Sequence, residues 1–229
     1  MRIKKRESDS KHAFWQAFVF TIIVFGTGLI LGFFLESYRA DKVQYILIDS
    51  EINILDNQLR ERITSDFNLS CSSAIDSVFD FADQIFFEAD KLERYDSASK
   101  FSDNLFVLHK RYDLLRTLLW LEAIDLKANC GKEADFHTVV YLYLYKSEDV
   151  DIDSKQLFYS RLLFDMKQKY PDKVLLIPIA VNTGLSSVEL IVENYNLGEF
   201  PYVIVDEEKI VNEILTFDEL ENIVFENSK

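Results

Sequence analysis

The sequence predicts an α + α/β chain. It has an N-terminal transmembrane helix, an extracytoplasmic helical hairpin or three-helix stalk, and a C-terminal domain of order β-α-β-α-β-β-α. Three observations carry this reading. Ala13 to Leu35 contains no charged residue, and a hydrocarbon core of about 30 Å takes roughly 20 helical residues to cross. Between Gly32 and Gly131 there is neither glycine nor proline, and such a long absence of the strongest breakers argues for long helices. After Gly131, short apolar runs alternate with helical patterns, which is the mark of a mixed or parallel sheet covered by helices. The expected divisions are a cytoplasmic tail at 1–12, a span at 13–35, a stalk at 36–130 and a folded domain at 136–229.

The span comes first because it sets the compartment of everything after it. Arg2, Lys4, Lys5, Arg6 and Lys11 precede it, and only Arg39 and Lys42 follow closely. Basic residues beside a span stay cytoplasmic, so the expectation is a single-pass cell-membrane protein with its C-terminal domain outside. Trp15 and Tyr38 suit the two interfaces. A cleaved signal peptide is the rival reading, but it calls for a shorter apolar run and a small-x-small site. Gly28 and Gly32 form a G-x-x-x-G pair. Such a pair lets helices approach closely and would support a homo-oligomer; lone glycines are the plainer reading.

The formal net charge is −14, and the residues after the basic tail sum to −17. That balance excludes nucleic acid as a main partner, since a basic footprint is absent. It describes a soluble, self-repelling surface. His12, His109 and His137 fall in separate segments, and neither Cys71 nor Cys130 sits in a metal-binding spacing. No metal or other cofactor is expected.

In the stalk, Ile48, Ile52, Leu55 and Leu59 form a stripe on a helix that runs on from the membrane. A second helix reads from about Ser72 to Arg94, with Ile75, Val78, Phe79, Ala82, Ile85, Phe86, Ala89 and Leu92 on its apolar face and Ser70 as cap. A third reads from about Ser99 to Ala128, with Leu105, Leu108, Tyr112, Leu115 and Leu119 on one face. Long helices joined by a short turn pack antiparallel, and the first helix would complete a three-helix bundle. The antiparallel pair brings Cys71 towards Cys130, so a structural disulfide is expected; an exchange-active pair is the alternative. Asn68-Leu69-Ser70 is a glycosylation sequon at Asn68.

In the C-terminal domain, V-V-Y-L-Y-L-Y at 139–145 and K-V-L-L-I-P-I-A-V at 173–181 read as buried strands. A helix over 154–170 lies between them, capped by Asp153 or Ser154 and stopped by Pro171. A helix over 185–195, a hairpin of 202–206 with 209–215, and a helix over 217–225 capped by Thr216 complete the order. Asp149, Asp151 and Asp153 suggest a calcium loop, but Ser154 and Ser160 stand where that loop needs Gly and Glu. They read better as acids at a helix start.

That order, with Y-N-L-G-E-F-P-Y-V-I-V at 195–205, resembles the thioredoxin-like fold. The resemblance covers the C-terminal domain and implies a cis proline at Pro201, preceding a strand that turns back as a hairpin. It also implies a polypeptide-binding face lined by Phe200, Pro201 and Tyr202. The redox members carry C-x-x-C after the first strand, where this chain reads K-S-E-D-V-D-I-D-S. Ordinary dithiol chemistry is therefore not expected of this domain. The chain as a whole resembles uncharacterised single-pass membrane proteins of archaea.

The expected function is a membrane-anchored protein-binding or scaffolding protein with a redox-inactive thioredoxin-like domain, and not an enzyme. Two alternatives stand beside it. One is a thiol–disulfide oxidoreductase using Cys71 and Cys130. The other is an oligomeric assembly protein built through the stalk.

Overall fold

A computed structural model describes residues 9–66, 70–96 and 102–225. The chain divides into two compact units, Met1–Asn53 and Ile54–Lys229. The sequon at Asn68 lies outside the described residues.

The first unit is helical and belongs to α1, Asp9–Asp66. Within α1, Ala13–Tyr38 is long and apolar enough to cross a membrane, with a mean hydropathy of 2.5. Its two threonine hydroxyls are spent on its own backbone: Thr21 Oγ1 donates to Ala17 O and Thr27 Oγ1 to Val24 O, both at 2.9 Å. This leaves no side-chain donor of the threonines seeking a partner in hydrocarbon, where an unmet donor costs several kcal/mol.

The second unit begins with an antiparallel pair, α2 (Cys71–Asp96) and α3 (Ser102–Cys130). Ser70 caps α2, its hydroxyl accepting from Ser73 N at 3.3 Å. The buried face of α2 is Ala74, Val78, Phe81 and Ile85; Val78 and Ile85 belong to the expected face, while Ala74 and Phe81 were not read on it. Phe86 is exposed, and Phe79 instead reaches sideways to the Phe136 ring, with centroids 5.4 Å apart. On α3 the expected Leu108, Tyr112, Leu115 and Leu119 are buried, and so are Asp113, Thr117, Trp120, Ala123 and Leu126. A helix buried over so much of its circumference has partners on two sides. One is α2; the other is the sheet. The sheet thus fills the role expected of a third bundle helix, and α2 and α3 belong to one compact unit with the strands. Cys71 and Cys130 are joined by a disulfide, with their Cα atoms 5.7 Å apart.

The sheet comprises β1 (His137–Tyr143), β2 (Val174–Ala180), β3 (Tyr202–Val205) and β4 (Lys209–Val211). Its spatial order is β2-β1-β3-β4, with β2 parallel to β1 and the other pairings antiparallel. Helices α4 (Val150–Lys169), α5 (Ser186–Asn194) and α6 (Phe217–Phe225) follow β1, β2 and β4. Because side chains alternate across a sheet, β1 feeds two cores. Val139 and Tyr141 join Tyr159, Leu163 and Met166 of α4 and Leu220 and Val224 of α6. Val140 and Leu142, also fully buried, face the other way, on the Thr138 side that Lys127 of α3 reaches.

Local chemistry sets the helix ends. α4 starts earlier than its pattern suggested, because Asp149 is the cap: its carboxylate accepts from Asp151 N at 2.9 Å and Ile152 N at 3.3 Å. The residues expected to cap it, Asp153 and Ser154, lie inside the helix, where the dipole favours the acid Asp153. Thr216 does cap α6, in a reciprocal box with Glu219. The three-residue connection from β3 to β4 opens on a turn closed by Glu208 N donating to Val205 O at 3.2 Å, with Asp206 and Glu207 at φ of 49° and 62°, the two positive values of a type I′ turn.

That turn is tied down by a polar knot. Lys127 Nζ lies 2.6 Å from Asp206 Oδ1, and His137 Nδ1 lies 2.6 Å from Asp206 Oδ2. Thr138 N also donates to Asp206, while Trp120 Nε1 and Thr138 Oγ1 both donate to Glu207. Burial by itself would raise the Asp206 pKa, but the bonds from His137 and Lys127 outweigh it and hold the carboxyl at about 2. A depressed carboxyl stabilises the fold above its unfolded pKa and loses that effect as pH falls through the folded value. Asp206→Asn is expected to destabilise the protein by about 2 kcal/mol at pH 7. In urea unfolding of the detergent-solubilised chain, the deficit should shrink as pH falls from about 4 towards 2.

Candidate functional site at the carboxyl end of the sheet

In open sheets with parallel strands, binding sites form where the loops leave the carboxyl ends of those strands. Here three segments meet at that end: the loop from β1 to α4, the loop from β2 to α5, and the entry into β3, whose Tyr202 pairs with Leu142.

Two side-chain amides hold the first loop. Gln156 of α4 accepts from Leu144 N at 2.6 Å and donates to Leu144 O at 3.2 Å. Asn182, after β2, does the same to Tyr145, at 2.6 and 3.0 Å. Each amide imitates a neighbouring strand's peptide, so the backbone beyond β1 keeps its pairing after the strand ends. That explains why the apolar run extends to Tyr145 while the strand stops at Tyr143.

The second loop is fixed from α3. Asp113 is only 1% exposed. Its Oδ1 accepts from Ala180 N at 3.0 Å, and its Oδ2 lies 3.5 Å from Thr183 Oγ1. The reason is positional. β2 is an edge strand, and every second N–H points away from β1. Val174 N finds Tyr170 O, Pro178 has no N–H, and Ala180 N is met by Asp113. Burial pushes the Asp113 carboxyl up to about 6, against the bond from Ala180 and the Arg116 guanidinium 3.7 Å away. Tyr143 lies in the same region; burial raises its phenol despite the adjacent Arg116.

The third segment is the corner at Pro201. The Phe200–Pro201 bond is cis. Pro201 is buried, while Phe200 and Tyr202 are half-buried, with their rings edge to face at 5.5 Å. The Tyr202 hydroxyl turns back to accept from Gly198 N at 3.4 Å. Among the described residues, no hydrogen bond uses the amide N–H or the carbonyl of Phe200.

Phe200, Pro201 and Tyr202 therefore stand together, as do Cys71 and Cys130, but the two groups are apart. Lys127, one helical turn before Cys130, contacts Thr138 at the start of β1, whereas Tyr202 pairs near its end. The length between is about 13 Å at the rise of a strand. Asp113 and the Asp206 knot were not read from the sequence. The available signal for Asp113 was a carboxylate set among Tyr112, Leu115 and Leu119 on an apolar face. Among the described residues, no group of three or more acidic, histidine or cysteine side chains is arranged to hold a metal ion.

Comparison with protein-family models, with curated proteins and with solved structures finds no match to this chain.

Asp113 yields a pH test. A carboxyl whose folded pKa is raised favours the fold most below its unfolded pKa, and that contribution is lost as pH rises through the folded value. Asparagine preserves both hydrogen bonds, its oxygen accepting from Ala180 and its amide donating to Thr183. Asp113→Asn is expected to gain about 3 kcal/mol on the wild type between pH 4 and pH 7. Parallel stability curves for the two proteins over that range would refute the burial of an ionised carboxylate.

Proposed function

We propose that the chain is a membrane-anchored, extracytoplasmic protein-binding module built on a thioredoxin-like domain without its dithiol. The helix at 13–38 would be the anchor. The excess of basic residues before it supports a cytoplasmic N-terminus and an external folded unit.

The fold reading is supported by element order and strand order: a parallel βαβ unit, then a second helix, then an antiparallel hairpin and a closing helix. The stretch from Lys146 to Ser154 carries no cysteine. The first turn of α4 is occupied by Asp151 and Asp153, whose charge would raise the pKa of a thiol placed there.

One observation carries the binding reading: the uncommitted backbone N–H and C=O of Phe200, held beside two half-buried aromatic rings. Paired backbone groups aimed outward at a strand's entry accept an extended peptide by strand addition, and flanking rings supply side-chain contact. The carboxylates Glu148, Asp149 and Glu199 at this end of the sheet favour a partner of positive charge.

The test is direct. Full-length protein in detergent micelles should bind a fluorescently labelled, unfolded cationic polypeptide, read by anisotropy. Phe200→Ala should weaken that binding at least tenfold, about 1.4 kcal/mol, and added salt should weaken it further. Phe200→Pro, which deletes the N–H, should weaken binding as much, and unchanged affinity in both variants would remove this corner as the recognition surface.

A further inference from the structure

We propose that the Cys71–Cys130 disulfide is a polarised thiol-exchange site, at which an incoming thiolate attacks Cys130 and expels Cys71. The inference is independent of the peptide-binding corner. It rests on where the two cysteines sit. Cys71 is the first residue of the 26-residue α2. Cys130 is the last residue of the 29-residue α3.

Opposite helix ends give the two sulfurs opposite surroundings. At the start of α2 the first N–H groups lie outside the helix's own ladder, that of Ser73 being met by the Ser70 hydroxyl at 3.3 Å, and the helix carries partial positive charge; at the end of α3, before the single 3-10 turn Gly131–Glu133, its last carbonyls lie outside the ladder and the charge is negative. Among the described residues, the side chains of these two helix ends do not reverse this. The first turn of α2 holds no acidic side chain. The one basic side chain in the last turn of α3, Lys127, is engaged by Asp206 at 2.6 Å and Glu207 at 3.8 Å. Lys132 and Glu133, just past Cys130, are both exposed and oppose each other. A thiolate is therefore stabilised on Cys71 and disfavoured on Cys130.

In thiol–disulfide exchange the sulfur with the lower pKa leaves faster. Reduced glutathione is a suitable reactant. Its thiolate forms a new S–S bond with Sγ of Cys130, the Cys71–Cys130 bond breaks, and the electron pair departs on Sγ of Cys71. The glutathione sulfur is oxidised to the disulfide level as the Cys71 sulfur is reduced, and the proton shed by glutathione goes to solvent. Both cysteines are half-buried rather than enclosed, and Ser72, Asn129 and Gly131 around them are exposed, so access does not favour one over the other.

The experiment uses the full-length protein in detergent micelles with a limiting amount of reduced glutathione. The reaction is quenched with N-ethylmaleimide and the peptides are read by mass spectrometry. Glutathione on Cys130 with maleimide on Cys71 should exceed the reverse product about fivefold. Equal or reversed products, or no exchange while the urea-unfolded protein exchanges, would overturn the proposal. A second measurement separates electrostatics from shielding. In Cys130→Ser the remaining Cys71 should be alkylated with a pKa below the ordinary value of about 8.5, and in Cys71→Ser the remaining Cys130 above it. Adding Ser72→Asp should raise the Cys71 value and narrow the product ratio. A ratio that ignores that charge would also overturn it.

Discussion

The contact between α3 and the edge of β2 is the constraint on which the second unit depends. An edge strand carries outward N–H groups that must be met or removed. Tyr170 O meets that of Val174, Pro178 has none, and Asp113 meets that of Ala180, so three of the four outward positions, Leu176 apart, are accounted for. For Asp113 to reach Ala180, α3 must lie alongside the strand, and its other side must then be covered by α2. The disulfide follows from the same arrangement, since antiparallel packing returns the start of α2 to the end of α3. Cross-linking residues separated by 59 positions stabilises by about 4 kcal/mol on the chain-entropy account, and that tether holds α2 in place over α3.

Two carboxylates, one buried and one half-buried, show how differently one group can be used. Asp206 sits where three donors converge and is held ionised, so it ties α3, β1 and the hairpin into one knot. Asp113 has a backbone donor, a distant hydroxyl and an off-centre guanidinium, and burial dominates. One adds to stability at neutral pH; the other spends some of it to close a sheet edge.

The elements were largely legible from the chain because their signals are local. Charge-free length marked the membrane-competent helix, and β-prone runs marked the strands. Thr216 announced its own cap by the Glu219 that follows it. What could not be read depends on contacts remote in sequence. Asp149 rather than Asp153 caps α4, because the choice among three neighbouring acids is decided by where β1 delivers the chain. The face of α2 differs in part from the expected one because Phe79 has Phe136 to pack on. The last two residues of the β1 apolar run leave the strand because Gln156 and Asn182 supply what a neighbour would. For the candidate site, Phe200, Pro201 and Tyr202 were legible as a corner. The unused peptide group of Phe200 was not, since a hydrogen-bond vacancy is a property of the whole sheet.

The short final strand has one more consequence. β4 is three residues long, with Lys209 at its start turned to donate to Ile223 O at 2.6 Å. So brief an edge is a poor template for further pairing, and the opposite edge is interrupted by Pro178 and met at Ala180 by Asp113 of α3. If the helix at 13–38 holds the folded unit at a membrane, as proposed, copies of it meet at a high effective concentration, where open sheet edges seed stacking into fibrils. With both flanks blunted, this sheet is protected against lateral growth under crowding.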